Sequence, residues 1–144
     1  MIVLDTNIVS EPWRKSPDAQ VIDWLNSQSP LALYICSPVL AELWYGLERL
    51  DSGTRKEALR HQVTRLEQEA YRDRIFAFDS VAAAIFGHIT AARERAGRRM
   101  DALDATIAAI ALANGAALAT RDVSDFSGIG LSIINPFEAT RQSR

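Results

Sequence analysis

The sequence has little cysteine and no long apolar run, and each shortage excludes a class of protein. Cys36 is the single cysteine among 144 residues, so no internal disulfide can form, which fits a reducing compartment. The longest uninterrupted apolar run, residues 107–113, is much shorter than the ~18 residues that suggest a transmembrane helix. No basic segment precedes the apolar opening around Asp5, which argues against a signal peptide. We therefore expect a soluble, cytoplasmic protein.

Neither sign of charge dominates the chain. Its 16 basic and 18 acidic residues give a formal net charge of −2 and a pI near 5.7. A protein that coats nucleic acid through bulk charge is expected to have a pI above about 9, which excludes that class. Lysine is scarce, because only Lys15 and Lys56 are lysine and the other 14 basic residues (16 − 2) are arginine. Arginine suits bidentate contact with phosphate or carboxylate, so this excess is a weak indication of either partner.

The chain contains no internal repeat and no linker, so we expect a single domain over residues 1–144. Short β-rich segments alternate with helical patterns, and the segments are apolar on both faces, as in strands buried between two helical layers. This alternation favours right-handed βαβ crossovers and a three-layer α/β fold with a parallel sheet. The predicted strands are Ile2–Leu4, Leu33–Cys36, Ile75–Phe78, Ala117–Ala119 and Leu131–Ile134.

Capping residues mark the starts of most predicted helices. A hydroxyl residue before a proline starts two of them, and an acidic cap starts two others. The helical segments run from Ser16-Pro17 to about Asn26, from Ser37-Pro38 to about Leu50, over about residues 54–72, from Asp79 or Ser80 to just before Gly97, and from Asp101 to Asn114-Gly115.

Acidic residues gather where the predicted strands end. Asp5 directly follows the first strand, and Asp122 closely follows the fourth, with Asp125 shortly after it. Glu42 lies near the start of the helix that leaves the second strand, and Asp104 lies one turn into the last long helix. Ligands of parallel α/β sheets bind at the carboxyl ends of the strands, so we expect these acids to meet at one edge.

Carboxylates brought together repel one another, and their burial costs several kcal/mol unless a positive charge compensates it. Mg²⁺ and Mn²⁺ prefer oxygen ligands and provide that compensation. A zinc site is disfavoured, because the chain has two histidines and one cysteine. Taken singly, Asp5 also fits a turn residue, Glu42 a first-turn acid and Asp101 a helix cap. The joint arrangement favours a metal site.

Four blocks of sequence contain these acids. They are Asp5-Thr6-Asn7, Ser37-Pro38-Val39-Leu40-Ala41-Glu42-Leu43 with Gly46, Asp101-Ala102-Leu103-Asp104-Ala105-Thr106-Ile107-Ala108-Ala109, and Thr120-Arg121-Asp122-Val123-Ser124-Asp125-Phe126. In this order and spacing, over nearly the whole chain, they resemble the PIN-domain nucleases, and most closely the VapC-type toxins of bacterial toxin–antitoxin pairs.

The resemblance implies a five-stranded parallel sheet of order 3-2-1-4-5 flanked by helices. It also implies that the catalytic and metal-holding acids of the family correspond to Asp5, Glu42, Asp104 and Asp122. Many relatives have asparagine at the position of Asp122 and use an acid that matches Asp125. Which of these two faces the metal therefore stays open, and we favour Asp122.

Further residues are expected to orient the site or contact substrate. Thr120 matches a small hydroxyl residue that helps to orient the site in the family. The arginines near the acidic blocks are expected either to hold substrate phosphates or to form a solvated helix end. The full set is Thr6, Asn7, Thr120, Arg98, Arg99 and Arg121.

The resemblance implies a metal-dependent endoribonuclease, the toxin of a toxin–antitoxin pair, that hydrolyses RNA phosphodiester bonds with Mg²⁺ or Mn²⁺. It also implies a small DNA-binding antitoxin that blocks the active site, and commonly a homodimer. The alternative is a catalytically weak module that acts mainly by binding an antitoxin and, through it, operator DNA. Phosphoryl transfer by an aspartyl nucleophile is disfavoured, because Asn7 stands where a second acid is needed and no lysine is near the motifs.

Burial is predicted for several side chains outside these blocks. We expect Trp13, Trp44 and Tyr45 to pack in the core rather than stack on bases or hold a partner. His88 lies in an apolar helical stretch, which favours a buried structural role. Arg93 is expected at a solvated helix end, where a basic residue complements the helix dipole.

Overall fold

The computed structural model describes residues 1–138, so residues 139–144 of the predicted domain lie outside the described part. Within residues 1–138, strands and helices alternate as predicted. The strands are β1 (Ile2–Leu4), β2 (Leu33–Cys36), β3 (Ile75–Phe76), β4 (Ala117–Ala119) and β5 (Ile133–Ile134). The α-helices are α1 (Thr6–Ser10), α2 (Ala19–Ser27), α3 (Ser37–Glu48), α4 (Thr54–Arg65), α5 (Ser80–Arg95) and α6 (Ala102–Ala113). Single 3-10 turns cover Glu11–Trp13, Pro30–Ala32 and Val123–Phe126, and a π-helical turn over Leu66–Ala70 extends α4.

All neighbouring strands are parallel, and the order β3-β2-β1-β4-β5 confirms the expected topology. The chain steps outward from β1 to β3 on one side of the sheet, and from β4 to β5 on the other. Right-handed crossovers therefore place α1–α4 on one face and α5 and α6 on the opposite face. The order reverses between β1 and β4, where an open α/β sheet forms a crevice at the carboxyl ends of its strands.

The two central strands, β1 and β4, end side by side. Leu4 is in register with Ala119. The ladder continues one step further, because Asp5 N donates to Ala119 O at 2.9 Å and Thr120 N donates to Ile134 O at 2.9 Å. Asp5 and Thr120 are therefore held by backbone hydrogen bonds at the point where the strands stop.

The edge strands are shorter than predicted. β3 ends at Phe76 rather than Phe78, and β5 begins at Ile133 rather than Leu131. An edge strand pairs on one side only, so fewer hydrogen bonds hold its ends in the extended conformation. Phe78 is 42% exposed, in keeping with its position beyond the sheet.

Aspartates cap most of the helices. The predicted cap Asp101 is confirmed, and of the two candidates Asp79 and Ser80 it is Asp79 that caps α5. Each carboxylate accepts a hydrogen bond from a backbone N–H of the first turn. The predicted cap Ser16 is wrong. The Asp18 carboxylate caps α2 instead, accepting a hydrogen bond from Gln20 N at 2.8 Å.

Two helices start directly after strands. α3 begins at Ser37 as predicted, although no side chain caps its start, so the Ser37 hydroxyl is not the cap that the pattern predicted. α1 was not predicted, because five residues are too few to show a helical period. Asp5 caps α1 by accepting a hydrogen bond from Thr6 N at 2.8 Å.

The apolar core lies between the sheet and its helices. Val3, Leu118 and Cys36 are fully buried, and α6 is fully buried over residues 107–111. Burial of apolar surface at about 25 cal/mol per Å² supplies most of the folding free energy. In the part of the chain that the structure describes, no helix is long and apolar enough to cross a membrane.

Several expectations about burial are wrong. His88 is exposed and Tyr45 is 66% exposed, whereas Arg93 is only 6% exposed. His88 is exposed because α5 buries only one narrow face. Much of the remaining surface of this helix is alanine, which makes the sequence apolar although these positions are not buried. Trp13 and Trp44 do pack against the core, each partly buried.

Candidate active site

The carboxyl ends of β1 and β4 bring Asp5 and Thr120 together. Asp5 is 6% exposed and Thr120 is fully buried. The Thr120 hydroxyl donates to Asp5 Oδ2 at 2.7 Å, and Thr6 N donates to Asp5 Oδ1 at 2.8 Å. Each oxygen of this nearly buried carboxylate thus has a hydrogen-bond donor, which offsets the cost of its burial.

Helix α1 connects Asp5 to Glu42. The Thr6 hydroxyl donates to Glu42 Oε1 at 2.8 Å. Glu42 lies on α3 beside the buried Leu43, so it borders the core-facing side of the helix as predicted. Thr6 therefore contacts two of the predicted acids, one through its backbone and one through its side chain.

The loop after β4 places Asp122 beside Asn7. Asn7 Nδ2 donates to Asp122 Oδ2 at 3.1 Å, and Asp122 N donates to Thr120 Oγ1 at 3.1 Å. Arg121 N in turn donates to Asn7 Oδ1 at 3.4 Å. The Thr120 hydroxyl thus links Asp122 to Asp5, and Asn7 holds the Asp122 carboxylate from the other side.

An open pocket of about 310 Å³ lies at this edge of the sheet. Its lining consists of Asp5, Thr6, Asn7, Ser10, Glu42, Asp104 and Asp122. The structure therefore brings the four predicted acids together, although they come from the end of β1, from α3, from α6 and from the loop after β4. We call this the acidic pocket.

Burial and mutual repulsion raise the pKa of three of these acids. Desolvation is the largest cause for Asp5, Glu42 and Asp104, and the pKa of Asp104 is raised to about 6. Neighbouring carboxylates raise all three further, while hydrogen bonds from Thr120 and Thr6 lower the pKa of Asp5. Because these carboxylates are partly desolvated and repel one another, the pocket favours the binding of a cation.

The donor chemistry fits a hard divalent cation. The acidic pocket offers only oxygen donors, and the Asp104 carboxylate receives no hydrogen bond from any residue between 1 and 138. Over the same residues, no three His, Cys, Asp or Glu side chains lie close enough together to hold one ion. Mg²⁺ prefers oxygen ligands and usually keeps several waters beside one or two carboxylates, so the ligand chemistry of the pocket suits this ion.

Two other acids lie near the pocket without lining it. Asp101 caps α6, and its charge raises the pKa of Glu42 and Asp104. Asp125 is exposed in the turn after β4, and its charge raises the pKa of Asp104 as well. Because Asp122 lines the pocket and Asp125 does not, the geometry favours Asp122 as the fourth acid.

The arginines predicted to contact substrate lie outside the acidic pocket. Arg98 Nη2 donates to Ser127 Oγ at 2.8 Å. The Arg99 side chain is 85% exposed, and its Nε lies 4.0 Å from Glu94 Oε1. The Arg121 guanidinium lies over the Phe137 ring, 4.5 Å from its centroid. These contacts leave the predicted role of each arginine in substrate binding untested.

Arg93 has a structural role that sequence reasoning missed. Its Nε donates to Arg98 O at 2.6 Å, and its Nη1 donates to Ser127 O at 2.8 Å and to Asp125 O at 3.3 Å. Arg93 therefore ties α5 to the turn that follows Asp122. The expectation of a solvated helix end fails because the carbonyls of this turn fold back over the end of α5.

Ser10 is the lining residue that the motifs did not indicate. It ends α1, and its hydroxyl donates to Thr6 O at 2.9 Å. Recognition of α1 would have found it, because residues four apart lie on the same face of a helix.

Comparisons with known proteins cover the same part of the chain. The sequence model of the PIN domain family matches residues 2–130. A plasmid stability protein of Pseudomonas syringae is 40% identical over 96% of this chain and 100% of its own length. A VapC ribonuclease of Sinorhizobium fredii is 37% identical over 96% of this chain and 99% of its own. The toxin FitB of Neisseria gonorrhoeae is 34% identical over 95% of this chain and 99% of its own.

Solved structures give the same result at the level of the fold. A chain of FitAcB from Neisseria gonorrhoeae matches with a TM-score of 0.90 and 34% identity, over 95% of this chain and 99% of that chain. A chain of FitAB bound to a DNA fragment also has a TM-score of 0.90, with 33% identity over 95% of this chain and 96% of that one. The matched region contains all four acids of the pocket.

Proposed function

Because this chain belongs to the PIN-domain family, we propose that it is a metal-dependent endoribonuclease and the toxin of a toxin–antitoxin pair. It hydrolyses RNA phosphodiester bonds, and residues 1–144 form a single PIN domain. In this reaction a water oxygen bonds to phosphorus, the ester bond to the leaving oxygen breaks, and that oxygen takes up a proton.

The convergence of Asp5, Glu42, Asp104 and Asp122 on one pocket carries this proposal. Family membership supplies the fold and the class of reaction, whereas the pocket supplies the ligands that the reaction needs. A module that only bound a partner would have no need for four carboxylates in one pocket. The intact acidic set therefore favours the enzyme over the catalytically weak binding module.

The four acids would hold Mg²⁺ or Mn²⁺, whose hard character suits their oxygen ligands. When bound, such a cation makes water a stronger nucleophile and stabilises the negative charge that develops on the leaving oxygen. The carboxylates alone repel phosphate, so a bound cation also makes it easier for a polyanion to enter the pocket.

The remaining polar residues fix the acids in place before the substrate binds. Thr120 orients Asp5, Thr6 orients Glu42 and Asn7 orients Asp122, each through a hydrogen bond of 3.1 Å or less. Such preorganisation lowers the barrier because the groups do not have to reorient during the reaction.

The similarity to FitAB, which was solved bound to a DNA fragment, suggests the partners. We propose that this chain pairs in the cytoplasm with a small DNA-binding antitoxin that blocks the acidic pocket, and that it forms a homodimer. The net charge of −2 does not oppose such a complex, since operator DNA is contacted by the antitoxin rather than by this chain.

A cleavage assay tests the catalytic proposal. Purified protein is incubated with single-stranded RNA in Mg²⁺, in Mn²⁺ or in EDTA, and the products are separated on a denaturing gel. We expect fragments with either metal ion and none in EDTA, and we expect Asp104→Asn to reduce cleavage by at least about 100-fold.

Asp101→Asn is the matched control, because asparagine caps a helix as well as aspartate does and Asp101 does not line the pocket. Cleavage by this variant should stay within about tenfold of the wild type. Robust cleavage in EDTA contradicts the metal dependence, and robust cleavage by Asp104→Asn contradicts the site. Tight binding of an antitoxin without metal-stimulated cleavage supports the alternative function.

A further inference from the structure

A second concave surface lies next to the acidic pocket and has the opposite charge. It is an open groove of about 810 Å³ between the loop that follows α1 and the exposed side of α4. Its lining includes Ser10, Trp13, Arg14, Lys15 and Arg55. We call it the basic groove.

The basic groove and the acidic pocket adjoin at Ser10, which lines both. Trp13 forms an apolar wall further along the same surface. A strand of nucleic acid that crosses the acidic pocket can therefore continue into the groove without leaving the protein surface.

The two concavities divide the charge between them. The acidic pocket is lined by four carboxylates and by no basic residue. The basic groove is lined by three basic residues and by no acid. Lys15 and Arg55 are exposed and form no ion pair with any residue in the range 1–138.

Buried hydrogen bonds organise the loop that carries two of these basic residues. The Glu11 side chain is 4% exposed, and its Oε1 accepts a hydrogen bond from Asp18 N at 2.9 Å. Its Oε2 lies 3.4 Å from Arg14 Nη1, while the Arg14 side chain remains 61% exposed. A guanidinium has five N–H donors, so this single contact leaves Arg14 free to bind an anion as well. Glu11 thus closes the loop and fixes the start of the basic segment.

We propose that the basic groove binds the backbone phosphates of single-stranded RNA on one side of the bond that is cut. This inference rests on the proposed ribonuclease function and adds a binding site for the substrate to it. A positively charged groove with an aromatic side chain is the arrangement by which proteins hold single strands without reading their sequence, and Trp13 provides the stacking surface. The groove supplies the attraction for RNA that a net charge of −2 does not supply.

RNA binding by the Arg14→Ala/Lys15→Ala variant tests the proposal. Fluorescein-labelled single-stranded RNA is titrated with the full-length protein in EDTA, which prevents cleavage, and anisotropy gives Kd at several salt concentrations. Each phosphate contact on a single strand contributes about 0.7 to the slope of log K against log salt, so losing two should reduce the slope by about 1.4. We expect Kd to rise about tenfold at moderate salt.

Two further variants make the test specific. Arg55→Ala removes a basic residue from α4 and leaves the Glu11 loop intact, so it should reduce the slope by about 0.7. Arg95→Ala is the matched control, because Arg95 is an exposed arginine in the last turn of α5, on the opposite face of the sheet. Its Kd and slope should match those of the wild type.

Cleavage in Mg²⁺ provides the second readout. If the groove binds substrate, Arg14→Ala/Lys15→Ala raises KM while kcat stays within about twofold, because the interaction is the same in the ground state and the transition state. If Kd, the salt slope and KM are all unchanged, the proposal is overturned. The basic groove would then be a binding site for an acidic protein segment instead.

The failure of each proposal has its own signature. A wild-type protein that cleaves RNA while the groove variants behave normally overturns the groove and leaves the ribonuclease intact. A wild-type protein that neither binds nor cleaves RNA overturns both.

Discussion

Thr120 is a fully buried threonine whose hydroxyl contacts two of the four acids in the pocket. It donates to Asp5 Oδ2 and accepts from Asp122 N, at 2.7 and 3.1 Å. The same oxygen therefore fixes the end of β1 and the start of the loop after β4. Single hydrogen bonds of this kind decide where the carboxylates lie to within a fraction of an ångström, which is the precision that catalysis needs.

Thr120→Val is expected to damage both stability and activity. Valine has the shape of threonine but leaves the nearly buried Asp5 Oδ2 without its donor, which costs about 1–3 kcal/mol of unfolding free energy. We also expect cleavage to slow at least about tenfold, because Asp5 and Asp122 lose their common anchor. Urea unfolding and initial cleavage rates measure the two effects.

Thr120→Ser is the control, since it keeps the hydroxyl. It should retain most of the activity and lose only the packing of one methyl group, about 1 kcal/mol. A valine variant as active as the serine variant contradicts the anchoring role.

Asp122→Asn and Asp125→Asn separate the two candidates for the fourth acid. Both side chains are exposed, but Asp122 lines the pocket and Asp125 does not. We expect Asp122→Asn to reduce cleavage about 100-fold and Asp125→Asn to reduce it less than about tenfold, measured at saturating Mg²⁺. The reverse ranking assigns the metal to Asp125.

At the scale of secondary-structure elements, the 3-10 turn Val123–Phe126 depends on a neighbouring helix for its position. Arg93, near the end of α5, donates hydrogen bonds to the backbone carbonyls of Asp125 and Ser127. Short turns contribute little packing of their own, so a buried guanidinium that satisfies several carbonyls at once determines the path of the chain. The loop that supplies Asp122 is thereby attached to α5.

Arg93→Met is expected to destabilise the fold and slow the enzyme. Methionine fills the space but leaves three carbonyl acceptors without their donor, which should lower the unfolding free energy by about 2–3 kcal/mol. Cleavage should fall as the turn after Asp122 loosens. Arg95→Met, on the exposed side of the same helical turn, should change stability by less than about 0.5 kcal/mol. Equal effects of the two substitutions contradict this role of Arg93.

Some of these elements could be predicted from sequence and some could not. The strands β1, β2 and β4 were predicted to the residue, because buried central strands are apolar on both faces and end in recognisable turn or cap residues. The ends of β3 and β5 were not, since pairing on one side leaves the end of an edge strand to local contacts. α1 was missed because a helix of five residues has no period to detect.

The candidate site, too, could be predicted from sequence only in part. The meeting of four acids could be predicted, because the carboxyl ends of parallel strands lie at one edge and the motifs name the residues there. The hydrogen bonds from Thr6 to Glu42 and from Asn7 to Asp122 could not, since they join positions far apart in the chain. The burial of Arg93 could not be predicted either. Its hydrogen bonds go to backbone carbonyls, which every residue has, so the sequence does not indicate which ones it contacts.

At the scale of the whole molecule, a nearly neutral chain carries a strongly divided surface. The acidic pocket and the basic groove meet at Ser10, so opposite charges lie side by side while the total stays at −2. Net charge predicts non-specific association, whereas the position of the charges decides where a cation or a phosphate binds.

Metal-free Asp104→Asn is expected to be more stable than the metal-free wild type. The pKa of Asp104 rises from 3.8 to about 6 on folding. Its ionised form therefore opposes folding at neutral pH, and this cost exceeds the favourable interaction of the carboxylate with the dipole of α6. In EDTA above pH 6, the variant should melt about 2–4 °C higher, the shift that ~1 kcal/mol produces in a domain of this size. The difference should shrink as the pH falls below 6 and vanish only below the unfolded pKa of 3.8, where both folded and unfolded Asp104 are largely protonated.

Mg²⁺ or Mn²⁺ should reverse this order, because a cation that binds only the folded state raises its melting temperature and the variant has lost a ligand. Scanning fluorimetry with and without metal measures both effects. A variant that melts below the wild type in EDTA contradicts the repulsive character of the pocket.

The hydrogen bond between Thr120 and Asp5 spans 115 positions of the chain. A ribosome that makes this protein therefore releases Asp5 and Glu42 long before Asp104 and Thr120, and β4 has to add to the sheet beside β1 before the pocket exists. A polypeptide that ends before Asp122 lacks the complete set of acids, so under the proposed function it could not cut the RNA that encodes it. Under the proposed ribonuclease function, this late assembly makes translation itself a safeguard, because the site is complete only after the last acid has been made.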